Sequence, residues 1–151
     1  LARTSVSTSP CDLGALVDSF APILNADILM RDRNIKYELT STTAVPICEA
    51  EIKQLLVNLV KNACEAMISG GMVTVAVEEN TEHVCLSVSD EGSGVSKELL
   101  PRLGTPFLTT KDNGVGLGLA ICYRIAERHN ATIRVNSSAQ GSIFSICFPK
   151  E

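Results

Sequence analysis

Along the first third of the chain the apolar residues Leu13, Leu16, Val17, Phe20, Leu24 and Ile28 recur at intervals of three and four, which predicts a helix over residues 12–31. Residues 35–40 then read as a short strand. A second helical pattern runs over residues 49–68 and stops at Gly70-Gly71. Alternation over 72–78 and again over 83–89 predicts two strands joined by the turn-like Glu79-Asn80-Thr81-Glu82. Periodicity is then lost until a third helix over 115–129, which is followed by strands at 132–136 and 142–148. Helices and strands in this order, with hairpins expected at 72–89 and 131–148, make an α+β fold: one sheet covered on one face by helices.

At 151 residues the chain is the size of one domain that buries its own core. Residues 1–10 are rich in Ser and Thr and read as a linker or domain boundary, with the domain itself over 11–151. A content of 45% hydrophobic and 20% charged residues is that of a globular protein. No apolar run approaches the roughly 20 residues of a membrane span, and the first ten residues lack the apolar centre of a signal peptide. Lys and Arg are scattered singly against a net charge of -4, so no nucleic-acid surface is expected. The six cysteines, at 11, 48, 64, 85, 122 and 147, are far apart and mostly set in apolar stretches. They are expected to be buried reduced thiols of a cytoplasmic domain, with any membrane attachment of the whole protein lying elsewhere.

Candidate chemistry falls into separate groups. On the second helix Ile52, Leu56, Leu59, Val60, Ala63 and Met67 form one stripe, and Asn58, Asn62 and Glu65 lie together on the other side. They form either a solvent face or a site. Asn is a poor residue for a helix interior, and its amide oxygen is a suitable hard ligand for magnesium. Asp90, at the end of a strand, begins Asp90-Glu91-Gly92-Ser93-Gly94, which is either a plain turn or a carboxylate placed to accept from an amino group, with glycines admitting a flat ring. Gly114-Val115-Gly116-Leu117-Gly118 opens the third helix and offers backbone N–H groups to an anion. No strand precedes it, which removes a dinucleotide fingerprint, and no Gly-x-x-x-x-Gly-Lys-Ser/Thr is present, which removes a P-loop. The irregular residues 95–113 between the two glycine groups are long enough to be a lid. Lys111 is either an exposed lysine of that lid or a phosphate contact.

Taken in order, these segments resemble the ATPase superfamily that unites gyrase, heat-shock chaperone, histidine kinase and MutL, and within it the histidine kinases most closely. Asn58-Leu-Val-Lys-Asn62-Ala-Cys-Glu65-Ala is similar to the asparagine box, and Asp90-Glu-Gly92-Ser-Gly94 to the first glycine box. Pro106-Phe107-Leu-Thr-Thr-Lys111 is similar to the phenylalanine box, Gly114-Val-Gly116-Leu-Gly118-Leu to the second glycine box, and Gly141-Ser142-Ile-Phe144 to the closing strand. The resemblance implies a two-layer α/β sandwich with a mixed sheet and helices on one face, the Bergerat-type ATP-binding fold. It implies that Asp90 takes the adenine amino group beside Gly92 and Gly94, and that Ser142 assists there. Asn62 and Asn58 would hold Mg2+ on the phosphates of ATP. Gly114, Gly116 and Gly118 would give them amides, and Lys111 would reach the terminal phosphate, so that Asn58, Asn62 and Lys111 form the catalytic group.

Two departures narrow the function. Hydrolysing members resemble one another in having a glutamate one turn before the magnesium asparagine, where this chain has Asn58, and an amide cannot serve as a general base. Neither His83 nor His129 lies in anything like an acceptor helix. The resemblance therefore implies a kinase domain that passes the γ-phosphate to a histidine on a separate dimerisation domain, expected ahead of residue 1 in a homodimeric protein that serves a response regulator. An anti-sigma-type serine kinase and a non-catalytic nucleotide-sensing module are the alternatives.

Overall fold

The computed structural model describes residues 6–68, 70–92 and 116–150. Gly94, Lys111, Gly114, the phenylalanine box and the stretch expected to be a lid lie outside the described residues.

A short strand β1 (Ser9–Cys11) leads into helix α1 (Leu13–Met30). Strands β2 (Asn34–Glu38) and β3 (Val45–Ile47) precede helix α2 (Glu49–Glu65), and β4 (Met72–Glu79) and β5 (His83–Ser89) form the first hairpin. Helix α3 (Gly116–Arg128) and the hairpin of β6 (Thr132–Ser138) and β7 (Gly141–Pro149) complete the described chain. The main sheet has the order β2-β4-β5-β7-β6. Its β2–β4 pair is parallel and the others are antiparallel, so the sheet is mixed.

Alternation along the strands decides the layering. Val73, Val75 and Val77, then Val84, Leu86 and Val88, then Phe144, Ile146 and Phe148 are buried against the helices. The residues between them, such as Ala76, Ser87 and Ser145, lie half-buried on the opposite, open face. Helices α1 and α2 supply the other half of the core through Leu13, Leu16, Val17, Leu24 and Ile28 and through Ile52, Leu55, Leu56, Leu59 and Val60. The result is the expected two-layer sandwich with helices on one face.

Helix α1 continues through Pro22. Proline there forgoes its hydrogen bond to the Asp18 carbonyl, but both residues are exposed, so water replaces the missing donor. With 18 residues at a mean hydropathy of 1.4, α1 has the length and composition of a membrane span. Its Asp18 and Asp27 and its one buried face account for it as a core helix.

Strands β1 and β3 pair with each other in a separate antiparallel ladder, Ser9 opposite Ile47 and Cys11 opposite Val45. Neither was visible as a pattern: each has three residues and each contains a proline, Pro10 or Pro46. Ser9 and Pro10 thus pair within the stretch whose composition suggested a linker.

Asp12 joins this end of the molecule. As the N-cap of α1 its Oδ1 accepts from the Ala15 N–H at 3.1 Å and from the Thr42 N–H at 3.1 Å, and its Oδ2 accepts from the Ser41 hydroxyl. The Ser41 hydrogen bond foremost, helped by those from Thr42 and Ala15, brings its carboxyl from 3.8 down to about 2. A lowered folded-state pKa means that protonation opposes folding, so this stabilisation is present above 3.8 and is lost as pH falls through about 2. Asp12→Ala is expected to cost about 1 kcal/mol at neutral pH. In urea titrations the gap between parent and variant should stay constant down to about pH 4 and narrow below it. A gap that did not narrow would rule out the charged carboxylate as its source.

The ends of α2 and α3 are locked by His129. Its Nε2 accepts from the Cys48 N–H at 3.1 Å, which places the ring proton on Nδ1, 2.8 Å from the Ile125 carbonyl. The ring is buried edge-on to Phe148, and beside it Arg128 pairs with Glu51. Cys48 is the N-cap of α2 and its side chain caps nothing, so His129 satisfies a backbone donor there instead.

One sequence expectation is corrected. Cys85 and Cys147 are joined in a disulfide, whereas Cys64 and Cys122 are buried free thiols and Cys11 and Cys48 are half-buried free thiols. Sixty-two positions separate the pair, and only the β5–β7 register brings the two opposite each other.

Candidate nucleotide site

The face of α2 that carries Asn58, Asn62 and Glu65 is not a solvent face. Asn62 is buried to 9% exposure, and Asn58 and Glu65 are half-buried. The reason is α3, which packs across α2. A Cβ on Gly118 would lie 3.9 Å from Asn58 Oδ1, so the first turn of α3 passes directly over the asparagine. The Asn58 Nδ2 is buried and, among the described residues, has no hydrogen-bond partner. A buried amide donor left unmade is costly, and its place beside a helix N-terminus suits a ligand oxygen.

Asp90 follows directly on β5 and is 8% exposed. Its surroundings hold it rigidly. Its N–H donates to the Ser142 carbonyl at 2.9 Å, and its Oδ1 accepts from the N–H of Gly92 at 2.8 Å and of Ser142 at 3.3 Å. Ser142 is buried on β7, with its hydroxyl 3.0 Å from that of Ser137. The turn and site readings of Asp90 are therefore compatible, because one oxygen organises the turn and the carboxylate as a whole is fixed at a strand end.

Gly92 has a packing role. A Cβ there would come within 2.2 Å of the Ala66 carbonyl at the C-cap of α2, so glycine lets the Asp90 turn close onto the helix bearing Asn62. Sequence reasoning missed two further partners in this corner. The Glu91 N–H points to Met67 Sδ at 3.2 Å, and Glu91 Oε1 accepts from the Met72 N–H at 3.1 Å. Met67 carried only the signal of a core residue, and nothing in the sequence marked Glu91. Met67 and Glu91, with Glu65, Ala66 and Gly92, border an open cleft of about 750 Å³ whose lining does not include Asp90.

The structure thus brings Asp90, Gly92 and Ser142 into one cluster and sets Asn58 against Gly118, with Ala66 linking the first cluster to the helix of the second. Gly116 is the first residue of α3. Among the described residues no group of three His, Cys, Asp or Glu is placed to hold a metal ion, so a cation here would rest on amide oxygens and on the ligand's own oxygens.

Comparison with known proteins gives this arrangement its context. Residues 48–151 match the family described as histidine kinase-, DNA gyrase B-, and HSP90-like ATPase. Sporulation kinase C of Bacillus subtilis (strain 168) is 42% identical over 102 residues, which cover 67% of this chain and 24% of that protein. The chain therefore spans about a quarter of that relative's length. The solved catalytic domain of histidine kinase ThkA is 29% identical with a TM-score of 0.85, covering 96% of this chain and 97% of that one. ThkA solved in complex with response regulator protein TrrA is 27% identical with a TM-score of 0.78, covering 95% of this chain and 42% of that one. The box order, the mixed sheet and these likenesses agree: the chain belongs to the histidine kinase-, DNA gyrase B-, and HSP90-like ATPase family, as an ATP-binding catalytic domain of the histidine kinase kind.

Proposed function

We propose that this domain binds Mg-ATP and donates the γ-phosphate to a histidine on a separate dimerisation domain, within a homodimeric cytoplasmic or membrane-anchored kinase that serves a response regulator. The observation that carries this reading is the buried Asp90 carboxylate, locked to Ser142 and Gly92 in a turn that closes onto Ala66 at the C-cap of the helix bearing Asn62. Asp90 accepts from the adenine amino group, with Gly92 and Gly94 admitting the ring and Ser142 holding the carboxylate in place. Asn62 and Asn58 hold magnesium, which neutralises phosphate charge when bound. That the Asn58 Nδ2 lacks a partner among the described residues supports this, since the two ends of an amide are interchangeable by rotation and either one suits a site that presents both a cation and phosphate oxygens. Amides of Gly114, Gly116 and Gly118 at the start of α3 take the phosphates, and Lys111 the terminal one.

The chain's own contribution to phosphoryl transfer is position and charge, since this chemistry asks for little covalent help. Asn58 cannot take a proton from water, which preserves the phosphoryl group for the acceptor. The response regulator is favoured as the downstream partner by the ThkA complex.

The isolated chain is expected to bind ATP in a magnesium-dependent manner and to leave itself unphosphorylated. Adding a histidine-bearing dimerisation domain is expected to yield an acid-labile radiolabel on that domain. Label retained on the isolated chain through an acid-labile bond would overturn this assignment.

A further inference from the structure

The alternation that buries Leu86 and Ile146 turns Cys85 and Cys147 outward, onto the open face of the sheet. They are direct partners in the antiparallel β5–β7 ladder, with their Cα atoms 4.1 Å apart, and both are half-buried. Among the described residues the helices pack on the other face and both cysteines are half-buried, so a small reagent reaches them without opening the core. The chain's other cysteines differ: Cys64 and Cys122 are shut inside the core, where burial pushes the Cys122 thiol up to about 12 and raises that of Cys64. Cys11 and Cys48 are half-buried, but one lies on β1 and the other at the start of α2, and each is free. The fold therefore selects one pair for thiol–disulfide chemistry.

On the proposed function the domain works in the reducing cytoplasm, where a disulfide is characteristically one that is made and broken as conditions change. We propose that Cys85 and Cys147 form a reversible dithiol–disulfide site, oxidised by exchange with small-molecule disulfides such as oxidised glutathione and reopened by thiols. One cysteine thiolate attacks a sulfur of oxidised glutathione, breaking its S–S bond and releasing a glutathione thiolate. The second thiolate attacks the protein-bound sulfur of the mixed disulfide and releases the other glutathione thiolate. The two cysteine protons pass through solvent to the released thiolates, so two protein thiols are oxidised and one glutathione disulfide is reduced to two thiols. Closure ties off the segment of 62 positions between β5 and β7, which restricts the unfolded chain.

The test equilibrates this chain in buffers of varied oxidised-to-reduced glutathione ratio, quenches with an alkylating reagent, and reads mass, peptide map and thermal midpoint. Oxidation is expected to yield a species about 2 Da lighter before alkylation, the two hydrogens lost in the exchange, with a single Cys85–Cys147 cross-link that excess thiol reverses. The midpoint should rise by roughly 5–15 °C on closure. In Cys85→Ser or Cys147→Ser the remaining thiol should stop at the mixed disulfide and the midpoint should not rise, whereas Cys11→Ser with Cys48→Ser should respond like the parent. The proposal is overturned if all six thiols stay alkylatable at every ratio, if the cross-link maps elsewhere, or if oxidised and reduced chains melt together.

Discussion

Asp90→Asn is expected to bind ATP about 10- to 150-fold more weakly than the parent, the loss of a charge-assisted hydrogen bond of roughly 1.5–3 kcal/mol, while it melts almost where the parent does. The two halves of that result come from the two oxygens. Oδ1 accepts from the N–H groups of Gly92 and Ser142, so in the variant the amide must keep its oxygen there. Its NH2 is then forced to the other position, where a donor meets the adenine amino group instead of an acceptor. Guanine presents a carbonyl at that place, so GTP should lose little or gain. Asp90→Ala removes both functions and should weaken ATP binding and lower the melting temperature together. Calorimetric titration of both nucleotides against both variants, with thermal melts, separates binding from folding. Unchanged ATP affinity in a well-folded Asp90→Asn would refute the adenine assignment.

Gly141→Ala is expected to be severe although the site chemistry is untouched. Gly141 has φ +145, a conformation that L side chains rarely adopt, and a Cβ there would lie 2.0 Å from the Asp90 carbonyl oxygen. Backbone strain and the displaced turn together should cost about 3 kcal/mol or more, lowering the thermal midpoint by roughly 6–12 °C. Because the obstruction falls on the Asp90 backbone and Ser142 is next in the chain, ATP affinity should fall as well. A variant that melted like the parent would mean that the β7 entry and the Asp90 turn separate more readily than their packing implies.

The elements with strong periodicity were legible at the outset. Helices α1, α2 and α3 and the hairpins β4–β5 and β6–β7 each repeat a pattern long enough to outweigh local exceptions, even Pro22. What the sequence did not reveal depends on register and on packing between distant segments. Strands β1 and β3 exist because they meet, and neither has a period of its own. The Cys85–Cys147 bond is a consequence of which residues of β5 and β7 stand opposite. In the site, Asp90 and Asn62 were marked by residue type and context, because a strand-end carboxylate and an asparagine in a helix each ask for a reason. Gly92 was marked too, but as a ring contact, and its closeness to Ala66 appears only when the turn is folded onto α2. Met67 and Glu91 act through a backbone N–H and a side chain whose partners lie elsewhere in the sequence, and no residue pattern encodes that.

Ser9 is joined to the asparagines of α2 by a short route of regular structure. β1 is laced to β3 from Ser9 opposite Ile47 to Cys11 opposite Val45, and the residue after Ile47 is Cys48, the N-cap of α2. From there Asn58 is ten positions along the helix, about 15 Å of stiff rod at 1.5 Å per residue. In mechanical terms α2 is a strut, braced at its N-cap by the β1–β3 ladder and by His129, whose Nε2 accepts from the Cys48 N–H and ties that end to α3. The apolar face of α2 is packed into the core with the residues of β4 and β5, so the strut and the sheet share one base and Asn58 and Asn62 keep a fixed place above it.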